Sequence, residues 1–157
     1  MFEKKEYIVN SNLGICIVEK ITKLVVGRES QMEYYVLRSA TDKNKKAYIP
    51  VEHHETVLRH PMTETQAKEM IEKMPINTND REGDRQITLG EAKEWLNCAE
   101  PEKWAKAAVL FLLHGEEYDA QLKETLCKIW ENFQGELAYV LKKNKEEVRR
   151  MMENRIK

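Results

Sequence analysis

The chain has 157 residues, 34% of them charged and 41% hydrophobic, with a formal net charge of −1. There is enough apolar material for one packed domain or two small ones. The near-neutral balance excludes a protein that holds nucleic acid by bulk charge, so any such contact must come from a local patch.

Cys16, Cys98 and Cys127 have no C-x-x-C spacing and suit a reducing compartment better than a disulfide framework. The N-terminus opens into Glu3-Lys4-Lys5-Glu6 without the apolar core of a signal peptide. The longest unbroken apolar run, residues 107–113, is far short of the ~20 residues of a membrane span. The expectation is a soluble, cytoplasmic protein.

Tyr7-Ile8-Val9 reads as a first short strand, and residues 10–14 as a turn in which Gly14 takes positive φ. Residues 15–21 form a second strand, apolar on both faces at first and then alternating. Residues 22–26 continue it or follow a bend, and residues 27–30 turn the chain. Residues 32–38 are rich in the β-branched and aromatic types that suit a pleated surface. The polar turn Asp42-Lys43-Asn44-Lys45 then leads into a hairpin partner over residues 46–49. Pro50 removes a ladder donor and is expected to close that strand. Four or five short strands in about 50 residues predict a small bent sheet, a Tudor/SH3-like half-barrel. Its open edge could pair with a strand of another protein. Lys23, Arg28 and Lys45 read equally well as charges that guard such an edge against aggregation.

After Pro50 nothing reads as a strand. The predicted fold class is therefore α+β, with a β module over residues 1–61 followed by a helical bundle over residues 62–157. Residues 53–62 form a connector. Thr63 with Gln66, and Thr88 with Glu91, are capping boxes that open two helices. The loop between them holds Asn77, Asn79, Asp80, Gly83 and Asp84. Pro101 suits a first helical position. The helix it starts is apolar nearly all round to Leu113, which predicts the central, buried helix. His114-Gly115 ends it. A long helix over residues 118–141 carries one apolar stripe from Leu122 to Leu141. Asn144 caps a last helix striped by Val148, Met151, Met152 and Ile156.

Through Pro61 there are 10 Lys/Arg against 8 Asp/Glu, a net of +2, and the remainder has 16 against 19, a net of −3. Neither half is an autonomous DNA binder on charge. Arg81, Arg85 and Lys93 make a loose basic cluster suited to phosphate contact, diluted by Asp80, Glu82 and Asp84. Trp95 and Trp104 fall on apolar helical faces and read as core. The adjacent pair His53-His54 cannot converge on one ion, and no Cys or carboxylate pair completes a tetrahedral site. No metal or cofactor is expected. Ser11, Ser30 and Ser39 stand in no nucleophile-elbow motif, and no glycine loop cradles phosphate. An enzyme is not expected.

Asn12-Leu13-Gly14-Ile15-Cys16-Ile17-Val18-Glu19-Lys20-Ile21, then Glu33-Tyr34-Tyr35-Val36-Leu37, Lys46-Ala47-Tyr48-Ile49-Pro50-Val51-Glu52 and Val57-Leu58-Arg59 resemble the N-terminal module of CarD-like transcription factors. That module also occurs in transcription-repair coupling factor. The resemblance implies a Tudor-like fold that binds the β subunit of bacterial RNA polymerase by strand addition. It further implies a helical domain that touches promoter DNA. Residues 95–105, Glu136-Leu137-Ala138 and residues 145–152 are similar to segments of that helical domain. The family places a wedge Trp at the start of its first long helix. Aligned without gaps from Trp104-Ala105, that position is Arg85. Arg can enter a narrow minor groove but cannot unstack a base step as a large apolar ring does.

The leading expectation is a non-enzymatic transcription regulator. It docks on polymerase through the rim residues Lys23, Arg28 and Tyr48 and reaches promoter DNA through Arg81, Arg85 and Lys93. The alternative is a polymerase-docking adaptor that uses its acidic helical half for a protein partner.

Overall fold

The computed structural model describes residues 2–26, 30–52, 58–74 and 86–156. The strands are β1 (Tyr7–Asn10), β2 (Gly14–Val26), β3 (Ser30–Ser39), β4 (Lys46–Pro50) and β5 (Leu58–Arg59). They form one antiparallel sheet in the order β4-β3-β2-β1-β5. The helices α1 (Glu64–Glu72), α2 (Leu89–Cys98), α3 (Pro101–His114), α4 (Ala120–Leu141) and α5 (Lys145–Ile156) follow. This is the α+β arrangement expected from the sequence.

Local chemistry places most of these elements. In the β1–β2 turn, Asn10 Oδ1 accepts from the N–H groups of Asn12 (2.9 Å) and Leu13 (3.0 Å), while Gly14 takes φ 71°. Both capping boxes form, at Thr63 and at Thr88. Pro101 occupies the first turn of α3. Asn144 Oδ1 accepts from the Glu147 N–H at 2.8 Å.

The sheet is buried on both faces at its β1–β2 end. Ile8, Cys16, Val18, Tyr35, Leu37 and Ile49 pack on one side as a small core. Val9 and Ile15, which alternate with Ile8 and Cys16, join the larger helical core on the other. That is why β2 begins apolar on both faces. Strand β2 then runs unbroken to Val26, its register shifting between Val18 and Lys20. A bulge supplies the bend, so residues 22–26 continue the strand.

Two local expectations are corrected. Leu58–Arg59 is a strand, paired through Val9↔Arg59 and Asn10↔Leu58, where the connector was expected to be irregular; two residues are too few to show a period. Pro50 closes β4 as expected, paired opposite Tyr34. The central helix is α4, not α3. Helix α4 packs on α1, α2, α3, α5 and β2, while Phe111, Leu112 and Leu113 of α3 are only half-buried. Of the sequence-predicted core tryptophans, Trp104 is fully buried and Trp95 is half-buried.

At Gly14 an added Cβ would lie 2.9 Å from Asn132 Oδ1 and 3.2 Å from Asn132 Cα. Steric conflict and left-handed backbone act together there, so Gly14→Ala is expected to cost about 1–3 kcal/mol. The check is the urea midpoint, which should fall at an unchanged m-value.

Candidate functional site: the open sheet margin

The β3–β4 ladder fixes which backbone groups β4 turns outward. The Val51 N–H bonds the Glu33 carbonyl and the Ser39 N–H bonds the Lys45 carbonyl, both at 2.9 Å. Tyr35↔Ile49 and Leu37↔Ala47 lie between them in register. In an antiparallel pair hydrogen-bonded and non-bonded positions alternate. Lys45, Ala47, Ile49 and Val51 therefore face β3, while Lys46, Tyr48 and Pro50 turn their backbone groups away from it. Among the described residues no strand pairs with β4 on that side. Pro50 thus sits where its missing N–H breaks no ladder bond. Tyr48 lies mid-margin with 55% of its surface exposed.

The same alternation applies to β2. Its pairing with β1 stops at Tyr7↔Ile17, followed by the bonds Val18 N–H to the Glu6 carbonyl and Lys5 N–H to the Val18 carbonyl. Beyond that point β2 pairs only with β3, and Ile21, Lys23 and Val25 turn their backbone groups outward as a second margin. Lys23 is exposed in the middle of it. The sheet's remaining margin, β5, faces the helices through Arg59, whose side chain reaches Glu136 and the Ala99 carbonyl.

The β4 margin is braced by charge. Arg38 and Lys46 lie directly opposite each other, an arrangement that like charges disfavour. Glu19, at the β2 bulge, bonds Arg38 and lies 3.6 Å from Lys46. The Arg38 hydrogen bond holds the Glu19 carboxyl below its ordinary value, with the Arg38 and Lys46 charges adding to it.

Of the other sequence-predicted site residues, Lys93 lies among the described residues. Arg28, Arg81 and Arg85 lie outside the described residues, as do His53 and His54. Lys93 is exposed on α2, with Glu91, Glu94, Glu100 and Glu102 also exposed along α2 and the start of α3. Beside these four glutamates, the exposed bases of that corner among the described residues are Lys93, Lys103 and Lys106. Trp95 has Lys103 and Lys106 over its ring, each 5.6 Å from the centroid.

One group of residues was not singled out as a site from the sequence, although Glu136 opens a segment of the family resemblance. Asn132, Gly135, Glu136 and Tyr139 recur at i, i+3, i+4 and i+7, so they share one face of α4. Asn132 Nδ2 donates to the Ser11 carbonyl at 3.0 Å. A Cβ on Gly135 would come within 3.5 Å of Thr41. The fully buried Glu136 accepts twice from Arg59 (2.7 Å each) and once from the Met62 N–H (2.8 Å). Tyr139 stacks on Tyr7 with ring centroids 4.6 Å apart. The local signal was a glycine and a glutamate side by side within an apolar helix, together with the resemblance of Glu136-Leu137-Ala138.

The described residues offer little reactive chemistry. No group of three or more His, Cys, Asp or Glu among them could hold a metal. Burial pushes the Cys16 thiol up to about 12. Desolvation, with Glu131 beside it, also raises Cys127. Neither is a thiolate nucleophile at neutral pH. Ser39 serves its turn, its Oγ accepting from the N–H groups of Thr41 and Asp42. No helix among the described residues is long and apolar enough to cross a membrane.

Residues 2–61, which hold both open margins, match the family model described as the CarD-like/TRCF RID domain. No curated protein matches the chain significantly.

Because the Glu19 pKa is depressed in the folded state, its contribution to stability is present above the ordinary carboxylate range, about pH 4.3. It is lost as pH falls through the folded value. Arg38→Ala is expected to move the Glu19 carboxyl titration upward and to weaken the acid-side dependence of stability. Carbon-detected NMR of the side-chain carboxyl reads this directly, and an unchanged titration would show that the pair does not form in solution.

Proposed function

We propose that this chain, whose residues 2–61 match the CarD-like/TRCF RID domain, is a transcription regulator that docks on the β subunit of bacterial RNA polymerase. One observation carries the reading: the outward N–H and C=O groups of Lys46 and Tyr48 on β4, an uncovered strand within the matched domain. A partner strand laid along β4 gains main-chain hydrogen bonds without displacing any native one. Lys23, on the β2 margin, and Arg28, which lies outside the described residues, belong in this proposal as charged groups for the polymerase surface. Lys23 in the middle of the β2 margin also disfavours self-pairing there, since two copies meeting antiparallel at that point would oppose like charges.

The finer part of the proposal concerns DNA. A sheet module through residue 61 carries a helical module, residues 62–157, to the promoter, where it modulates open-complex formation through Arg81, Arg85 and Lys93. Tethering to polymerase raises the effective concentration of a contact too weak to form alone, which suits a chain of net charge −1. The second reading is an adaptor without significant DNA binding. The exposed glutamates along the Lys93 corner and the absence of Trp at position 85 favour it. No catalytic role is proposed.

Proline at an outward-facing position blocks strand addition while sparing the native ladder, as Pro50 already does. Tyr48→Pro is expected to weaken capture of the purified polymerase β-lobe about tenfold or more, the size of one lost and desolvated backbone bond plus a steric clash. Lys23→Pro is expected to weaken it much less. The reverse ranking would move docking to the β2 margin, and no loss in either variant would end the strand-addition reading. Fluorescence anisotropy on a fork-junction promoter separates the two finer readings: a regulator tightens polymerase binding, and an adaptor leaves it unchanged.

A further inference from the structure

The stripe Asn132, Gly135, Glu136 and Tyr139 ties one helix to points spread across the sheet. Its contacts are the β1–β2 turn (Ser11), the segment after β3 (Thr41), strand β5 (Arg59) and strand β1 (Tyr7). The neighbouring face of α4 carries Leu122, Leu126, Ile129, Phe133 and Leu137 into the helical core. The helix is therefore held by both halves at once.

Polar and apolar contacts differ in how they tolerate sliding. An apolar face can slide by a turn and still bury its area, because dispersion and hydrophobic burial are non-directional. This stripe cannot. A one-turn shift of α4 would bring Glu131 or Tyr139 to the position now held by Gly135, where even a Cβ is already in contact with Thr41 and Ile15. It would also take Glu136, fully buried, away from three hydrogen bonds, leaving an uncompensated charge in the interior. Only one register satisfies both.

We propose that this stripe, with Glu136 as its positioning residue, is a register lock that sets the orientation of the helical half relative to the open β4 margin. A partner docked on β4 then receives the helical half in a single pose. The lock does not depend on what the partner is. Its consequence at the promoter rests on the docking reading above.

The test replaces the buried pair by apolar groups of similar volume, Arg59→Met with Glu136→Leu, a change that often leaves stability intact. Dyes at Lys43, in the β3–β4 turn, and at Asn154, on α5, are both exposed and report orientation by single-molecule energy transfer. Cys98 and Cys127 are replaced by Ser in all samples so that labelling is confined to the introduced thiols. The unsubstituted pair is expected to give one narrow distribution. The double variant is expected to keep its far-UV circular dichroism and its β-lobe capture while a second orientation rises to about 10% or more of molecules. Fork-junction affinity in the presence of polymerase should fall with it. One narrow distribution at the original position would overturn the proposal. If the double variant does not fold, Asn132→Ala with Tyr139→Ala cuts the same stripe at half-exposed positions and decides by the same readout. Failure of the unsubstituted protein to capture the β-lobe would remove the docking reading while leaving the energy-transfer result to judge the lock.

Discussion

The contact on which the rest of this structure depends is the ion pair between Arg59 and Glu136. Arg59 leaves the last strand of the sheet and places its guanidinium against the carboxylate in a bidentate arrangement, both bonds at 2.7 Å. Its Nε bonds the Ala99 carbonyl, which a left-handed residue at the end of α2 turns toward it. Its planar face lies 5.3 Å from the Trp104 ring centroid. Glu136 takes a third donor from the Met62 N–H, where the chain enters α1. Sheet, α1, the α2–α3 corner, α3 and α4 thus meet around one charge. Such a group survives burial only when its acceptor positions are filled. Removing one partner from a buried pair typically costs about 3–5 kcal/mol, a large share of the roughly 5–15 kcal/mol that holds a domain together.

This contact also determines which sheet margin is available. By drawing Arg59 to the helices it commits β5 to the interior side of the molecule. The opposite margin, β4, is then left to solvent with Lys46, exposed Tyr48 and Pro50 along it. A charged residue and a proline on an uncovered strand are the usual restraints on indiscriminate edge pairing. They leave two N–H groups, those of Lys46 and Tyr48, for a partner that fits.

The electrostatics fit that division of labour. Near β4, Glu19 bonds Arg38 and lies 3.6 Å from Lys46, and the exposed residues around Lys93 hold four glutamates beside Lys93, Lys103 and Lys106. Recruitment through the backbone of a strand, followed by weak contacts at high local concentration, is the proposed mode of action.

Much of the architecture was legible in the sequence because it rests on interactions between residues close in the chain. The capping boxes at Thr63 and Thr88, the Asn144 cap, the hairpin around residues 42–45 and positive φ at Gly14 are short-range effects of side-chain oxygens and backbone geometry. The apolar stripe of α4 followed from helical periodicity. The resemblance over residues 2–61 was likewise a matter of ordered local patterns. What the tertiary structure alone decided involves partners far apart in the chain. Strand β5 exists because β1 offers it a ladder. Pro50 is tolerated because β4 is an edge and the proline's nitrogen points out of the sheet. Helix α4 is central because its second face, polar rather than apolar, meets the sheet. A glutamate at position 136 reads as surface until Arg59, 77 residues earlier in the chain, is placed beside it; local patterning carries no information about a pairing that only the closed fold brings within reach.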